Sequence, residues 1–397
     1  MDMEDTFSPP YHTEESPEPD PLMFQDRKAL ISVCSSWRAI AFEIIAEYLT
    51  PYSDKDLLMI VEKLEASKEA QGGSGGLGEW TRRIDFTMLH PCNHENVIRL
   101  LRCTPNLMIY VNKNGSDHYP ERQTPSEIIR ALVMHCGKTL RRVEWACPGE
   151  SPLWTDLVEL CHGTPNLRTL RLMCIYSYSP SHSRRSPLII LPHLKTLSLG
   201  LIPEPSDMVP DLPMTWDPLL SYLAISPHQL PSLERLEVDI FPTTAFFTVH
   251  GEKIRFFRTT SWSALSMLPA ALPLCPNLHS LVLSHGIDQL HLPSFHPSLK
   301  RICVIPFVED LVRVPPRIFA SAVLGPLDAF LMMVETMKLP NLVELRIRNV
   351  GAFADLEDHP LWLRVWWRRW NIRGVRFEDK MGRSFETVAH GLFRYLP

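Results

Sequence analysis

The chain has 397 residues, a formal net charge of −5 and 45% hydrophobic residues. This is enough apolar material for a large core, and there is no overall basic field of the kind that drives nucleic-acid binding. Nine scattered cysteines, odd in number and without a Cys-x-x-Cys pair, point to reduced thiols in the cytoplasm or nucleus. No stretch reaches the roughly 20 apolar residues of a membrane span.

Residues 1–26 carry net negative charge, five prolines and little to bury. They are expected to form a disordered acidic tail, the opposite of a signal or transit peptide. From residue 27 the composition changes. Leu30, Val33, Cys34, Trp37, Ile40, Ala41, Ile44, Ile45 and Leu49 follow an amphipathic helical pattern within 27–50. Over 51–79, Ser53 with Asp56 opens a second helix whose face is Leu57, Ile60, Val61 and Leu64, and the run GGSGGLG ends it as a flexible joint. A lead-in strand is expected at Arg83–Phe86.

Beyond residue 80 one phrase recurs: proline or a polar residue, Leu, two residues, an apolar residue, one residue, another apolar residue. Its leading leucines are 107, 140, 167, 194, 233, 278, 299 and 342, separated by 33, 27, 27, 39, 45, 21 and 43 residues. Proline lacks an N–H and pushes its predecessor out of the helical region, so it closes a helix and launches an extended segment. The fourth and sixth places then share one face of a strand, as in Leu170 with Leu172, Leu281 with Leu283 and Leu345 with Ile347. In the first copy those places hold Tyr110 and Asn112, which suggests a register shifted onto Ile109 and Val111.

Between the phrases, Val97, Leu100 and Leu101, then Ile128, Ala131 and Leu132, then Trp154, Leu157, Val158 and Cys161 mark helical faces. Parallel strands need such crossovers, so the fold predicted over 80–397 is α/β, an irregular leucine-rich-repeat-like solenoid. It has a curved parallel sheet with helices on the other side. The segments 201–230 and 239–274 read as long inserts. Near the end, HPLWLRVWWRRW puts Trp362, Trp366 and Trp370 on one helical face beside Arg364 and Arg368. It fits a helix capping the coil, with Val375–Phe377 as a final strand, or a docking helix for an acidic partner.

No constellation argues for catalysis or a cofactor. Gly73, Gly75 and Gly78 spell G-x-G-x-x-G, but after a charged helix and before a strand, which reads as linker. Gly137-Lys138-Thr139 has Leu132 where a phosphate loop needs glycine, and His90, Cys92 and His94 lack a second ligand pair, so no metal site is assigned. Candidate binding residues are the third and fifth places of the phrases, which alternation turns away from the leucines: Arg142, Glu144, Arg171, Arg235, Glu237, Arg301, Glu344 and Arg346. Their mixed signs suit a protein partner rather than nucleic acid or membrane.

The run ALISVCSSWRAIAFEIIAEYL (Ala29–Leu49) resembles the second half of an F-box. Followed by the repeats, it resembles the F-box proteins of fungal type with leucine-rich-repeat tails. The Leu-Pro-x-Glu helix that opens an F-box has no counterpart in SPEPDPLMFQD, so the module is truncated or degenerate. The resemblance implies that Leu30, Val33, Cys34, Trp37 and Arg38 dock on the adaptor of a cullin-RING ubiquitin ligase while the repeats hold a protein substrate. Two alternatives stand beside it: Trp37 and its neighbours as a cap on the first repeat, and the chain as a free-standing repeat scaffold.

Overall fold

The computed structural model describes residues 33–72, 76–88, 92–114, 122–146, 150–173, 188–200, 216–238, 242–259, 267–285, 292–306, 324–347, 359–378 and 384. The expected acidic tail, Leu30, Gly73, Gly75 and His90 lie outside these residues. The described residues fall into two compact units, one over 33–200 with 216–233 and the other from 234 onward.

In the first unit the main strands are β1 (Tyr48–Leu49), β2 (Arg83–Phe86), β3 (Ile109–Asn112), β5 (Arg142–Trp145), β7 (Thr169–Leu172) and β8 (Thr196–Leu199), parallel and side by side in that order. A two-residue pair, β4 (Arg122–Gln123) with β6 (Glu150–Ser151), stands apart. Helix α1 (Ser35–Ala46) precedes β1. The crossovers carry α2 (Asp54–Ala70), α3 (His94–Cys103), α4 (Ser126–Cys136) and α5 (Trp154–Gly163), and α6 (Asp217–Leu223) follows β8. The Ser53 hydroxyl accepts the Asp56 N–H at 3.2 Å, the cap expected at the start of α2.

The second unit repeats the scheme. Its parallel strands are β9 (Arg235–Val238), β10 (Phe256–Thr259), β11 (Ser280–His285), β12 (Arg301–Pro306), β13 (Glu344–Ile347) and β14 (Arg376–Glu378). Its helices are α7 (Thr244–His250), α8 (Leu268–Ala271), α9 (Gly325–Thr336) and α10 (Pro360–Ile372). Both units are therefore stacks of parallel strand–helix coils.

The core follows the phrase. Leu107, Leu140, Leu167, Leu194, Leu233, Leu278 and Leu299 are fully buried at the turn into each strand. The fourth-place row in the first unit is Ile84, Tyr110, Val143, Leu170 and Leu197. β3 therefore keeps the common register instead of shifting. Tyr110 takes the leucine place, its ring 5.6 Å from Phe86 and 6.0 Å from Trp145. Asn112 takes the sixth place, buried and satisfied: its amide donates to Glu150 at 3.1 Å and its carbonyl oxygen accepts the Asn114 N–H at 2.8 Å.

Two other departures have physical causes. The sheet starts at Tyr48 rather than near residue 80, because β1 pairs with β2 (Tyr48↔Arg83) and makes α1 the helix of a leading coil. The stretch 239–274 is not simply an insert: it holds α7, β10 and α8, a coil whose leading position is Ile254, buried like the leucines but with no proline before it. The last strand is in place as β14, paired with β13.

Two backbone devices recur. At most strand starts one carbonyl of the preceding coil accepts two successive N–H groups: Met108 O from Arg141 and Arg142 at 2.8 and 3.0 Å, and Arg255 O from His279 and Ser280 at the same distances. The asparagine before the leading leucine then staples the coils, Asn106 to Glu79 O (2.9 Å), Asn166 to Lys138 O (2.7 Å), Asn277 to Glu252 O (2.8 Å) and Asn341 to Pro297 O (2.7 Å). The helices are set equally close. A Cβ on Gly137, at the end of α4, would lie 2.3 Å from the Gly163 carbonyl oxygen at the end of α5.

Truncating the buried Leu281 to Ala is expected to cost about 2–5 kcal/mol. Gly137→Ala, which forces backbone apart, is expected to cost about 1–3 kcal/mol. Urea unfolding followed by circular dichroism measures both.

Candidate functional site

Alternation places the third and fifth positions of each strand opposite the leucine rows. In the first unit these rows are Arg83, Ile109, Arg142, Thr169, Thr196 and Asp85, Val111, Glu144, Arg171, Ser198. In the second they are Arg235, Phe256, Ser280, Arg301, Glu344, Arg376 and Glu237, Arg258, Val282, Cys303, Arg346, Glu378. All eight candidate binding residues expected from the sequence stand on these rows.

Instead of an open surface of mixed sign they form ladders of ion pairs. Two positions on one strand face are about 6.7 Å apart, a span that Arg and a carboxylate close together. Arg83 holds Asp85 through two parallel bonds, Nε to Oδ1 at 2.7 Å and Nη2 to Oδ2 at 2.8 Å. Tyr48 donates its hydroxyl to Asp85 at 3.0 Å, and the Arg83 guanidinium lies 5.2 Å from the Tyr48 ring centre. Burial, then the Asp85 charge, push the Tyr48 phenol up to about 12.

One coil group further, Arg142 Nη2 meets Glu144 at 2.6 Å and Arg171 Nη1 reaches the same oxygen at 3.6 Å from the next strand. Arg142 and Glu144 are 2% and 8% exposed. Burial alone would raise the Glu144 pKa, but the adjacent Arg142 and Arg171 outweigh it and hold the carboxyl at about 2. β2, β3 and β5 are buried on both faces, so this stretch of ladder is a frame within the fold.

In the second unit Arg235 pairs with Glu237 and stacks 3.8 Å from the Phe256 ring centre. β13 and β14 carry a checkerboard: Arg346 contacts Glu344 at 2.9 Å and Glu378 at 3.0 Å, and Arg376 contacts Glu344 at 3.0 Å. Solvent reaches the network at Arg301 and Arg376, whose side chains are 44% and 63% exposed. Tyr48, Arg83, Asp85, Arg376 and Glu378 were missed as ladder members, and Arg258 as a residue of the same row. Their strands lack the leading leucine, although the same alternation marks them.

The Trp-rich helix α10 is anchored to α9. The Trp362 and Trp366 indole N–H groups both donate to one oxygen of Asp328, at 2.7 and 2.6 Å. Arg369 pairs with Glu335 and lies 4.5 Å from the Trp366 ring centre. Trp366 and Trp370 are buried, while Leu361, Val365 and Ile372 are exposed. Of the five adaptor-docking candidates, Val33 and Cys34 are exposed just before α1. Trp37 and Arg38 lie on α1 with side chains outside the described set, as Leu30 is altogether.

Fold and face together define an α/β protein of parallel strand–helix coils, with a charge-paired sheet face in each unit. The chain matches no family model and no curated protein sequence.

Glu144→Gln leaves Arg142 buried without its partner charge and is expected to cost about 3–5 kcal/mol by urea unfolding. Because the Glu144 pKa is depressed on folding, its contribution is complete above the unfolded carboxyl value of about 4.3 and is lost as pH falls from there toward 2. The Gln variant should therefore lose stability less steeply than the native chain between about pH 4.3 and 2.

Proposed function

We propose that the protein is a non-enzymatic interaction subunit, the substrate receptor of a cullin-RING ubiquitin ligase. Its leucine-rich-repeat-like coils would hold the target, and the F-box-like segment around Val33, Cys34, Trp37 and Arg38 would dock the adaptor in the cytoplasm or nucleus. The observation that carries this reading is the succession of leucine-led parallel coils directly after the Val-Cys-x-x-Trp-Arg run. Stacked coils present long surfaces without needing a catalytic centre, and the chemistry would belong to the ligase, to which the receptor contributes proximity.

A second reading has its own support. Because α1 runs into β1, and β1 pairs with β2, the Trp37 helix is also the helix of the first coil. That arrangement suits a free-standing scaffold whose first helix is a cap.

The test is capture of the purified adaptor by the full-length protein and by its Trp37→Ala, Arg38→Ala variant. The receptor reading expects capture by the native chain and loss in the variant. No capture by either leaves the scaffold reading.

A further inference from the structure

The place just before each strand has its own composition. In the first unit it is occupied by Glu47 ahead of β1 and then by Arg82, Met108, Arg141, Arg168 and Lys195, ahead of β2, β3, β5, β7 and β8. The backbone of this row is committed: the carbonyls of Arg82, Met108, Arg141 and Arg168 are the double acceptors that join one coil to the next. A groove of about 420 Å³ opens along this edge. Its cations are Arg82, Arg141, Arg168 and Lys138, and none of its lining residues is acidic.

This is the reverse of the sheet face, where each arginine sits beside a carboxylate. Arg141 and Lys138 have no carboxylate partner among the described residues, and Arg82 donates to the Asn106 carbonyl at 3.2 Å. The wall is fixed in advance, since the Asn106 and Asn166 side chains are held on the Glu79 and Lys138 carbonyls. A preformed concave site in which Arg82, Arg141 and Lys138 have no carboxylate beside them among the described residues calls for an anionic ligand.

The lining identifies the kind of anion. It includes no Phe, Tyr or Trp, and His193 supplies its one ring, so a run of bases would lack the succession of aromatic platforms that single-stranded nucleic acid uses. The chain's net charge of −5 also opposes a long polyanion at a distance. From β2 to β7 is three strand spacings, about 14 Å, which is the length of about four extended residues. Alternate side chains of an extended segment fall on one side and can meet this row.

We propose that the groove binds an extended acidic segment of a partner protein, with Asp or Glu side chains at alternate positions facing Arg82, Arg141 and Arg168. This rests on the interaction-subunit reading and names what the coils take hold of. It does not depend on the adaptor link.

The experiment is fluorescence anisotropy of a labelled octaglutamate peptide with the full-length protein at 50 and 200 mM salt, with octaglutamine as the control. The expected result is binding of octaglutamate alone, weaker at the higher salt. Arg141→Glu is expected to weaken it about tenfold or more, and Lys138→Glu, at an exposed position, to weaken it in the same direction with the melting curve unchanged. The proposal is overturned by absence of octaglutamate binding, by binding that both variants retain, or by tighter binding of an octauridine RNA that the same variants abolish. Failure here with adaptor capture intact removes the groove alone, and loss of adaptor capture does not alter this measurement.

Discussion

A parallel strand cannot be reached through a tight turn. The chain must leave the sheet, cross over and come back on the same side. Everything else in both units follows from that requirement. The proline-led phrase ends the returning segment and aims the chain into the sheet. The buried leading leucine fixes the turn on the core, and a carbonyl that accepts two N–H groups sets most strands beside the last. Helices cover one side because the crossovers must go somewhere, and glycines such as Gly137 stand where their ends crowd together.

On the other side of the sheet, alternation supplies side chains with no leucine layer to join. The protein fills that face with arginines and carboxylates in neighbouring positions. Pairs such as Arg142 with Glu144 gain little net stability once desolvation is counted, yet each is costly to break singly. Their effect is to hold register: slipping a strand by one place would bring charges into the leucine rows. Arg82, Arg141 and Lys138, which have no carboxylate partner among the described residues, gather instead at the edge where the strands of the first unit begin.

The coil pattern was legible wherever proline and leucine announced it. The strand at Phe256–Thr259 was not, because Ile254 does the work of leucine and no proline precedes it. β1 was hidden inside an amphipathic run that reads as one helical face to Leu49, although the helix ends at Ala46. Tyr110 looked like a break in register because ring and leucine differ as letters, whereas in space the ring fills the same place between Phe86 and Trp145. On the leucine-led strands the positions of the face were readable from alternation, since period two needs no tertiary information, whereas on β1, β2, β10 and β14, which lack the leading leucine, they were not. Its burial and its pairing were not readable, because they depend on which strands become neighbours. The basic edge escaped for a related reason: its arginines are dozens of residues apart and meet only when the strands stack.

The asparagine staples and shared carbonyls tie each coil to its immediate predecessor and to nothing farther along the chain. Under tension such a stack behaves like a zip fastener rather than a riveted block. A pull on the β14 end of the second unit loads one coil's set of bonds at a time. The work of extension is spread over many small releases, with each remaining coil left intact until its turn. The same independence lets coils be lengthened, as the unequal intervals between leucines show, without disturbing their neighbours.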